Sequence, residues 1–151
     1  MPPRILVADD HTIVRRQVRK ILERENGWAV CAEAAGGREA VAMTEAHRPD
    51  IVVLDVSMPD LNGLQAARQI HLQFPEIKMV ILSMYDPFEL IDELKEFGVR
   101  GWILKTDLPQ LVDAIRSIWQ LTRETTLEEQ TAIHQCGLSC GCEKKRAWQP
   151  T

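Results

Sequence analysis

The chain has 151 residues, with 18 Lys+Arg against 22 Asp+Glu and a formal net charge of −4. An apolar fraction of 45% with 26% charged residues is too rich in Val, Ile and Leu for a disordered chain, and no stretch approaches the roughly 20 apolar residues of a membrane span. The acidic balance argues against a body that lies on nucleic acid, and an N-terminus that reaches Asp9-Asp10 so early has no secretory pattern, so a cytoplasmic domain is expected.

Arg4-Ile5-Leu6-Val7-Ala8 is a short apolar run ending in Asp9-Asp10, and Ile13, Val14, Val18, Ile21 and Leu22 follow at helical spacing. This predicts a buried strand and an amphipathic helix. Asn26-Gly27 stops that helix, Trp28 to Ala34 predicts a second strand, and Gly36-Gly37 opens a helix running to Pro49. Asp50-Ile51-Val52-Val53-Leu54-Asp55 is a continuous branched apolar run, the mark of a strand covered on both faces, and it ends in a carboxylate. After Met58-Pro59-Asp60-Leu61-Asn62-Gly63 a third helix runs to Pro75, and Lys78 to Leu82 predicts strand four. Asp86-Pro87 has the cap and first-turn residues of a helix reaching Gly98. Gly101-Trp102-Ile103-Leu104 is strand five, and a last helix begins near Pro109 and carries Leu111, Val112, Ile115, Ile118 and Trp119.

Strict alternation of strands and helices predicts an α/β, doubly wound, five-stranded parallel sheet with helices on both faces, because right-handed crossovers place each helix on a face. In such sheets functional groups gather at the carboxyl ends of the strands. Here those ends carry Asp9, Asp10, Asp55, Ser83 and Lys105. Ionised carboxylates brought to one edge repel each other unless solvent spreads them or a cation holds them. Hard oxygen ligands select a hard cation such as Mg²⁺, which often shares its site with a phosphate. Lys105 could then pair with the anion, and Ser83 could donate a hydrogen bond to it.

These residues resemble a response-regulator receiver domain of two-component signalling, which has a flavodoxin-like fold. The resemblance covers residue 4 to about 121 and rests on Asp9-Asp10, Asp55, Met58 to Gly63, Ser83 and Lys105, each at the end of its strand and in order. The wording around Ser83-Met84-Tyr85-Asp86 and Gly101 to Lys105 is most similar to the NarL-type subgroup. The resemblance implies that Asp55 accepts a phosphoryl group from a phosphohistidine on a sensor histidine kinase or phosphotransfer protein. It implies that Asp10, Asp55 and the backbone carbonyl of Ser57 hold Mg²⁺, with Asp9 acting mainly through water. Ser83 would move towards the phosphoryl group and Trp102, three residues before the lysine, would swing inward with it; indole stands where the family usually has tyrosine or phenylalanine. The output surface implied is helix four, strand five and helix five, which is also the surface of an expected homodimer. Ser57 and Tyr85 are expected to flank the phosphoryl group, and Thr106 follows Lys105 where receivers often have proline, an absence common in the subgroup.

Taken singly, the aspartates could cap the following helix, Ser83 could be a turn hydroxyl, Lys105 a solvated charge and Trp102 a packing aromatic. Their coincidence at four strand ends favours the site. His11 reads as a helix-start residue, since Mg²⁺ prefers oxygen. Two other functions compete. An aspartyl-nucleophile phosphohydrolase also combines these groups, but its nucleophile is commonly followed two residues later by a second carboxylate, whereas Val56 and Ser57 follow Asp55. A pseudo-receiver would fold and bind a partner without phosphorylation. No substrate turnover is expected.

The composition changes at residue 121: net charge is −4 for residues 1–121 and zero for 122–151. A receiver domain over 1–121 and a short Cys-containing tail over 122–151 are expected. The NarL-type subgroup continues into a helix-turn-helix, but no recognition helix is evident after Leu121, so no direct DNA binding is expected. Thr126-Leu127-Glu128-Glu129 resembles a capping box and predicts a short helix from about Leu127 to Gln135, with disorder after it. His134, Cys136, Cys140 and Cys142 are borderline or soft ligands that could take Zn²⁺, although their spacing is not a common zinc pattern. The plainer reading is a thiol-rich tail without metal.

Overall fold

The computed structural model describes residues 2–86 and 91–132, and side chains within them except those of residues 91 and 124–132. Its elements are β1 (Arg4–Ala8), α1 (Thr12–Glu23), β2 (Ala29–Ala34), α2 (Gly37–His47), β3 (Ile51–Asp55), α3 (Gly63–Gln73), β4 (Lys78–Ser83), α4 (Ile91–Glu96), β5 (Val99–Leu104) and α5 (Pro109–Ala132). The strands form one parallel sheet in the order β2-β1-β3-β4-β5. The reversal of order between β1 and β3 is the switch point of a doubly wound sheet, where the strand ends open a crevice.

Side chains alternate between two cores. Leu6, Ala8, Val52, Leu54, Met79 and Ile81 face α2, α3 and α4, while Ile5, Val7, Ile51, Val53, Val80 and Leu82 face α1 and α5. All five residues of β3 are buried, as its branched run predicts. Each Val, Leu or Ile so covered contributes about 1.5–3 kcal/mol relative to exposure. Between β4 and β5 the pairing jumps from Met79↔Val99 to Val80↔Gly101, so Arg100 is the extra residue of a bulge. The bulge reverses the facing of the rest of β5: Trp102 packs on the α3/α4 side and Ile103 on the α1/α5 side. Gly98, the expected stop of helix four, has φ of 77° and makes the left-handed turn into β5.

The start of β5 and the extent of α5 differ from expectation. β5 starts at Val99 rather than Gly101 because Val99 already pairs with Met79. The described part of α4 is Ile91–Glu96; its expected start at Asp86-Pro87 adjoins 87–90, which lie outside the described residues. The separate helix expected from about Leu127 is instead the end of α5, which runs unbroken across residue 121 to Ala132, with no breaker to interrupt it. His134, Cys136, Cys140 and Cys142, and with them the zinc reading, lie outside the described residues. Among the described residues no helix is long and apolar enough to cross a membrane.

Candidate functional site: an acidic pocket at the strand ends

The turn leaving β1 carries Asp9, Asp10 and His11. Asp9 N–H donates to the Ala34 carbonyl at 3.0 Å, which ties the turn to the end of β2. The Asp9 carboxylate folds back and its Oδ1 accepts the His11 N–H at 2.8 Å, an Asx turn that leads into α1. From the second turn of α1, Arg15 Nη1 donates to the Asp9 carbonyl oxygen at 2.7 Å, while Arg15 Nε stands 3.4 Å from Glu33 Oε1. One guanidinium therefore joins β1, α1 and β2 beneath the acidic turn.

Asp55 ends β3, and Lys105 opens a short 3₁₀ turn (Lys105–Asp107) after β5. Lys105 Nζ lies 3.0 Å from Asp55 Oδ1 and 3.1 Å from Asp9 Oδ2. Asp9 and Asp55 are almost wholly buried, and Lys105 is only 10% exposed. Burial raises the Asp9 pKa; the His11 N–H opposes it, the Asp55 charge adds to it and Lys105 opposes it, leaving the carboxyl above its ordinary value. Burial by itself would lower the Lys105 pKa, but the hydrogen bonds and charges of Asp55 and Asp9 outweigh it and hold the ammonium above its ordinary value.

The two Asp55 oxygens have different surroundings. Oδ1 faces Lys105 and also accepts the Ser57 N–H at 3.2 Å. Oδ2 is buried and has no hydrogen-bond partner. Asp10 Oδ1 also lacks a hydrogen bond, though His11 Nδ1 is 3.0 Å away. Asp9, Asp10, His11 and Asp55 each offer a ligand atom within 4.8 Å of the others. The partnerless Asp10 oxygen, beside two more carboxylates, fits a cation. Because the carboxylates supply hard oxygens, the pocket fits Mg²⁺. His11, the N-cap residue of α1 and 61% exposed, is where a helix-start residue should be, yet its ring also borders the pocket.

Ser83 ends β4 and is buried, one residue past the Leu82 that pairs with Asp55. Its Oγ accepts the Tyr85 N–H at 3.0 Å, from the loop that follows β4. Trp102, half-buried on β5, donates its indole N–H to the Tyr85 carbonyl at 2.9 Å. The geometry thus brings Asp9, Asp10, Asp55 and Lys105 together, with Ser83 and Trp102 joined through the loop after β4.

Sequence reasoning missed Arg15 and the role of Asp60. Asp60 accepts the Gly37 N–H at 3.0 Å and the Arg38 N–H at 3.2 Å, so the loop after β3 caps α2. Burial raises the Asp60 pKa, but these and other backbone donors together bring it below the ordinary value. Gly36, the local cap position of α2, has no side chain to offer, and that lack was the available signal.

Residues 5–116 match the family described as response regulator receiver domain. The oxygen regulatory protein NreC of Staphylococcus epidermidis is 40% identical over 119 residues, covering 78% of this chain and 55% of NreC. A two-component response regulator of the LuxR family from Aurantimonas sp. has a solved structure that superposes with a TM-score of 0.73 at 36% identity, covering 78% of this chain and 85% of that one. A chain of the CheX–CheY–BeF₃–Mg complex from Borrelia burgdorferi gives a TM-score of 0.73 at 25% identity over 79% of this chain and 90% of the matched one. This chain spans about half the length of the curated relatives it matches.

Proposed function

This chain belongs to the response regulator receiver domain family, and on that premise we propose that Asp55 accepts a phosphoryl group from a sensor histidine kinase or a phosphotransfer protein. Receivers of two-component systems are phosphorylation-based signalling domains rather than substrate-turnover enzymes, and they interact with histidine kinases or phosphotransfer proteins. The observation that carries the finer reading is the division of labour at Asp55. Lys105 and the Ser57 N–H engage Oδ1, while Oδ2 is buried without a hydrogen-bond partner and is the oxygen we assign as nucleophile.

Oδ2 forms a bond to phosphorus as the donor's P–N bond breaks, and the leaving imidazole nitrogen keeps the electron pair. The transition state is loose and spreads charge over three equatorial oxygens, so catalysis lies in positioning and electrostatics. Lys105 orients the ionised Asp55 and then faces a phosphoryl oxygen. Ser83, whose oxygen already accepts the Tyr85 N–H, keeps its hydroxyl proton to donate to another. Asp10, Asp55 and the Ser57 backbone carbonyl are the residues we assign to Mg²⁺, with Asp9 acting through water. When bound, Mg²⁺ offsets the negative charge of the carboxylates and the phosphoryl group. The presence of Mg and BeF₃ in the CheY complex supports this assignment. Output would pass through α4, β5 and α5 by protein–protein contact, including a homodimer, without direct DNA contact by this domain.

Intact mass after incubation with acetyl phosphate, with and without Mg²⁺, tests the proposal on the native chain and Asp55→Ala. One Mg²⁺-dependent phosphoryl adduct is expected on the native chain and none on the variant. No adduct on the native chain would sink it in favour of a phosphorylation-independent binding module.

A further inference from the structure

His11 brings a nitrogen to a pocket otherwise made of oxygens. Its Nδ1 lies 3.0 Å from Asp10 Oδ1 and 3.2 Å from Asp9 Oδ1. Ligands held at about 2.0–2.2 Å from one ion stand roughly 3.0 Å apart at adjacent corners of an octahedron and roughly 3.3 Å apart at the corners of a tetrahedron. The nitrogen and both oxygens therefore already have the spacing of neighbouring ligands. One ligand atom from each of Asp9, Asp10, His11 and Asp55 falls within 4.8 Å of all the others. Two oxygens of the set also want a partner: Asp10 Oδ1 and Asp55 Oδ2 are buried without a hydrogen bond, and the Asp55 side chain is only 1% exposed. A proton on Nδ1 does not meet that want. It serves Asp9 Oδ1 at 3.2 Å, while Asp10 Oδ1, closer to the same nitrogen, is left without a hydrogen bond.

We propose that His11 Nδ1 is a ligand of the acidic pocket for borderline divalent cations of the Zn²⁺ class, which enter in competition with Mg²⁺ and are held by the imidazole together with the carboxylates of Asp10 and Asp55. This rests on the reading of the carboxylates as a cation site, and not on phosphoryl transfer. Imidazole suits Zn²⁺ and its transition-metal neighbours, whereas Mg²⁺ keeps to oxygen ligands and water. The carboxylates serve either ion, so the imidazole is the group that tells the two classes apart. One imidazole with carboxylates is a donor set Zn²⁺ accepts. Nδ1 binds a cation only without its proton, which then sits on Nε2 as the other neutral tautomer. With 61% of the side chain exposed, water is at hand for that N–H. His11 also has no competing duty as a cap, since its side chain makes no hydrogen bond to the first turn of α1.

The test is titration calorimetry with ZnCl₂ and with MgCl₂ on the full-length chain carrying His134→Gln, Cys136→Ser, Cys140→Ser and Cys142→Ser, so that the tail offers no soft ligands. Adding His11→Gln is expected to weaken Zn²⁺ binding at least about tenfold and to leave Mg²⁺ affinity within about twofold. Adding Asp10→Asn instead is expected to weaken both ions, which ties both to this pocket. Histidine-ring ¹⁵N NMR on the chain with His11 intact needs no folded variant: its Nδ1 resonance is expected to take the shift of a metal-bound nitrogen with Zn²⁺ and not with Mg²⁺. Zn²⁺ affinity indifferent to His11→Gln or to Asp10→Asn overturns the proposal, as does an equal loss for both ions in His11→Gln or an unmoved Nδ1 resonance at saturating Zn²⁺. If neither ion binds the chain with His11 and Asp10 intact, the reading of the carboxylates as a cation site falls and the proposal with it. Mg²⁺ binding that Asp10→Asn abolishes, beside Zn²⁺ binding that ignores His11, removes the imidazole's role alone.

Discussion

A carboxylate with almost no water contact, such as Asp9, has to be held by its neighbours, and here they hold it incompletely. Its Oδ1 accepts the His11 N–H, but its Oδ2 shares Lys105, 3.1 Å away, with Asp55, which stands 3.0 Å from the same ammonium. With burial the largest cause, the Asp9 pKa is raised in the folded chain above 3.8. The folded state therefore binds this proton more readily than the unfolded state, and folding stability from this group falls as pH rises from 3.8 through the raised value. Above that window ionised Asp9 is a standing cost. Lys105 has the same slope in a different window: its raised pKa gives stability that is present below 10.5 and lost only as pH rises through the higher folded value. Asp9→Asn, which keeps an oxygen for the His11 N–H, is expected to raise the melting temperature at pH 7 in EDTA by about 2–4 °C for each 1 kcal/mol relieved. It should also shrink the stabilisation given by added Mg²⁺, since binding to the native state alone stabilises by mass action. Thermal unfolding in EDTA and in Mg²⁺ measures both, and a lower melting temperature of the variant in EDTA would refute the account.

At the scale of elements, α3 is docked against the strand that presents Asp55. Asn62 Oδ1 accepts the Gln65 N–H at 2.8 Å, and Gln65 Oε1 accepts the Asn62 N–H at 3.2 Å, a reciprocal capping box. Gly63 N–H then donates to the Val56 carbonyl at 3.0 Å. A Cβ at Gly63 would collide with the Asp55 carbonyl oxygen and stand 3.0 Å from Val56 Cα, both backbone atoms with little freedom to yield. Gly63→Ala is expected to cost about 1–3 kcal/mol and to weaken phosphoryl uptake, because the strain falls on the Asp55 peptide. Asn62→Ala, which removes only the cap, is expected to cost about 0.5–2 kcal/mol and to leave uptake unchanged. Urea unfolding and uptake from acetyl phosphate compare the two; equal uptake by both variants would show that docking of α3 does not position Asp55. The strand ends were legible because each apolar run stops at a polar group, and Asp9, Asp55, Ser83 and Lys105 all lie where those runs end. The bulges at Cys31 and Arg100 were not, since an extra residue is defined only by the partner's register. The facing of Trp102 and its link to Tyr85 depend on that register and were hidden with it. The cap that Asp60 gives α2 was hidden for a similar reason, lying 22 and 23 residues from its donors.

Over the whole molecule, the unit that must fold is the sheet with its two cores, and the question is where along α5 that unit stops. Leu111, Ile115 and Ile118 are buried against the α1 side, Trp119 packs beside them, and Leu121 is already 43% exposed. The family match ends at residue 116, while the helix continues to Ala132. The last of these packed side chains lies before residue 121, and the backbone passes that point without a break. Backbone helix of this kind can propagate from a packed segment with little free energy of its own, because stability in short helices comes from tertiary packing. A chain ending after Arg123 is therefore expected to melt within about 2 °C of the full chain, a difference worth less than about 1 kcal/mol, and to take up a phosphoryl group at the native rate. Thermal unfolding and intact mass on the shortened chain check this. A fall of more than about 8 °C, or slower uptake, would mean that residues beyond 123 pack on the domain and that the boundary lies further along the chain.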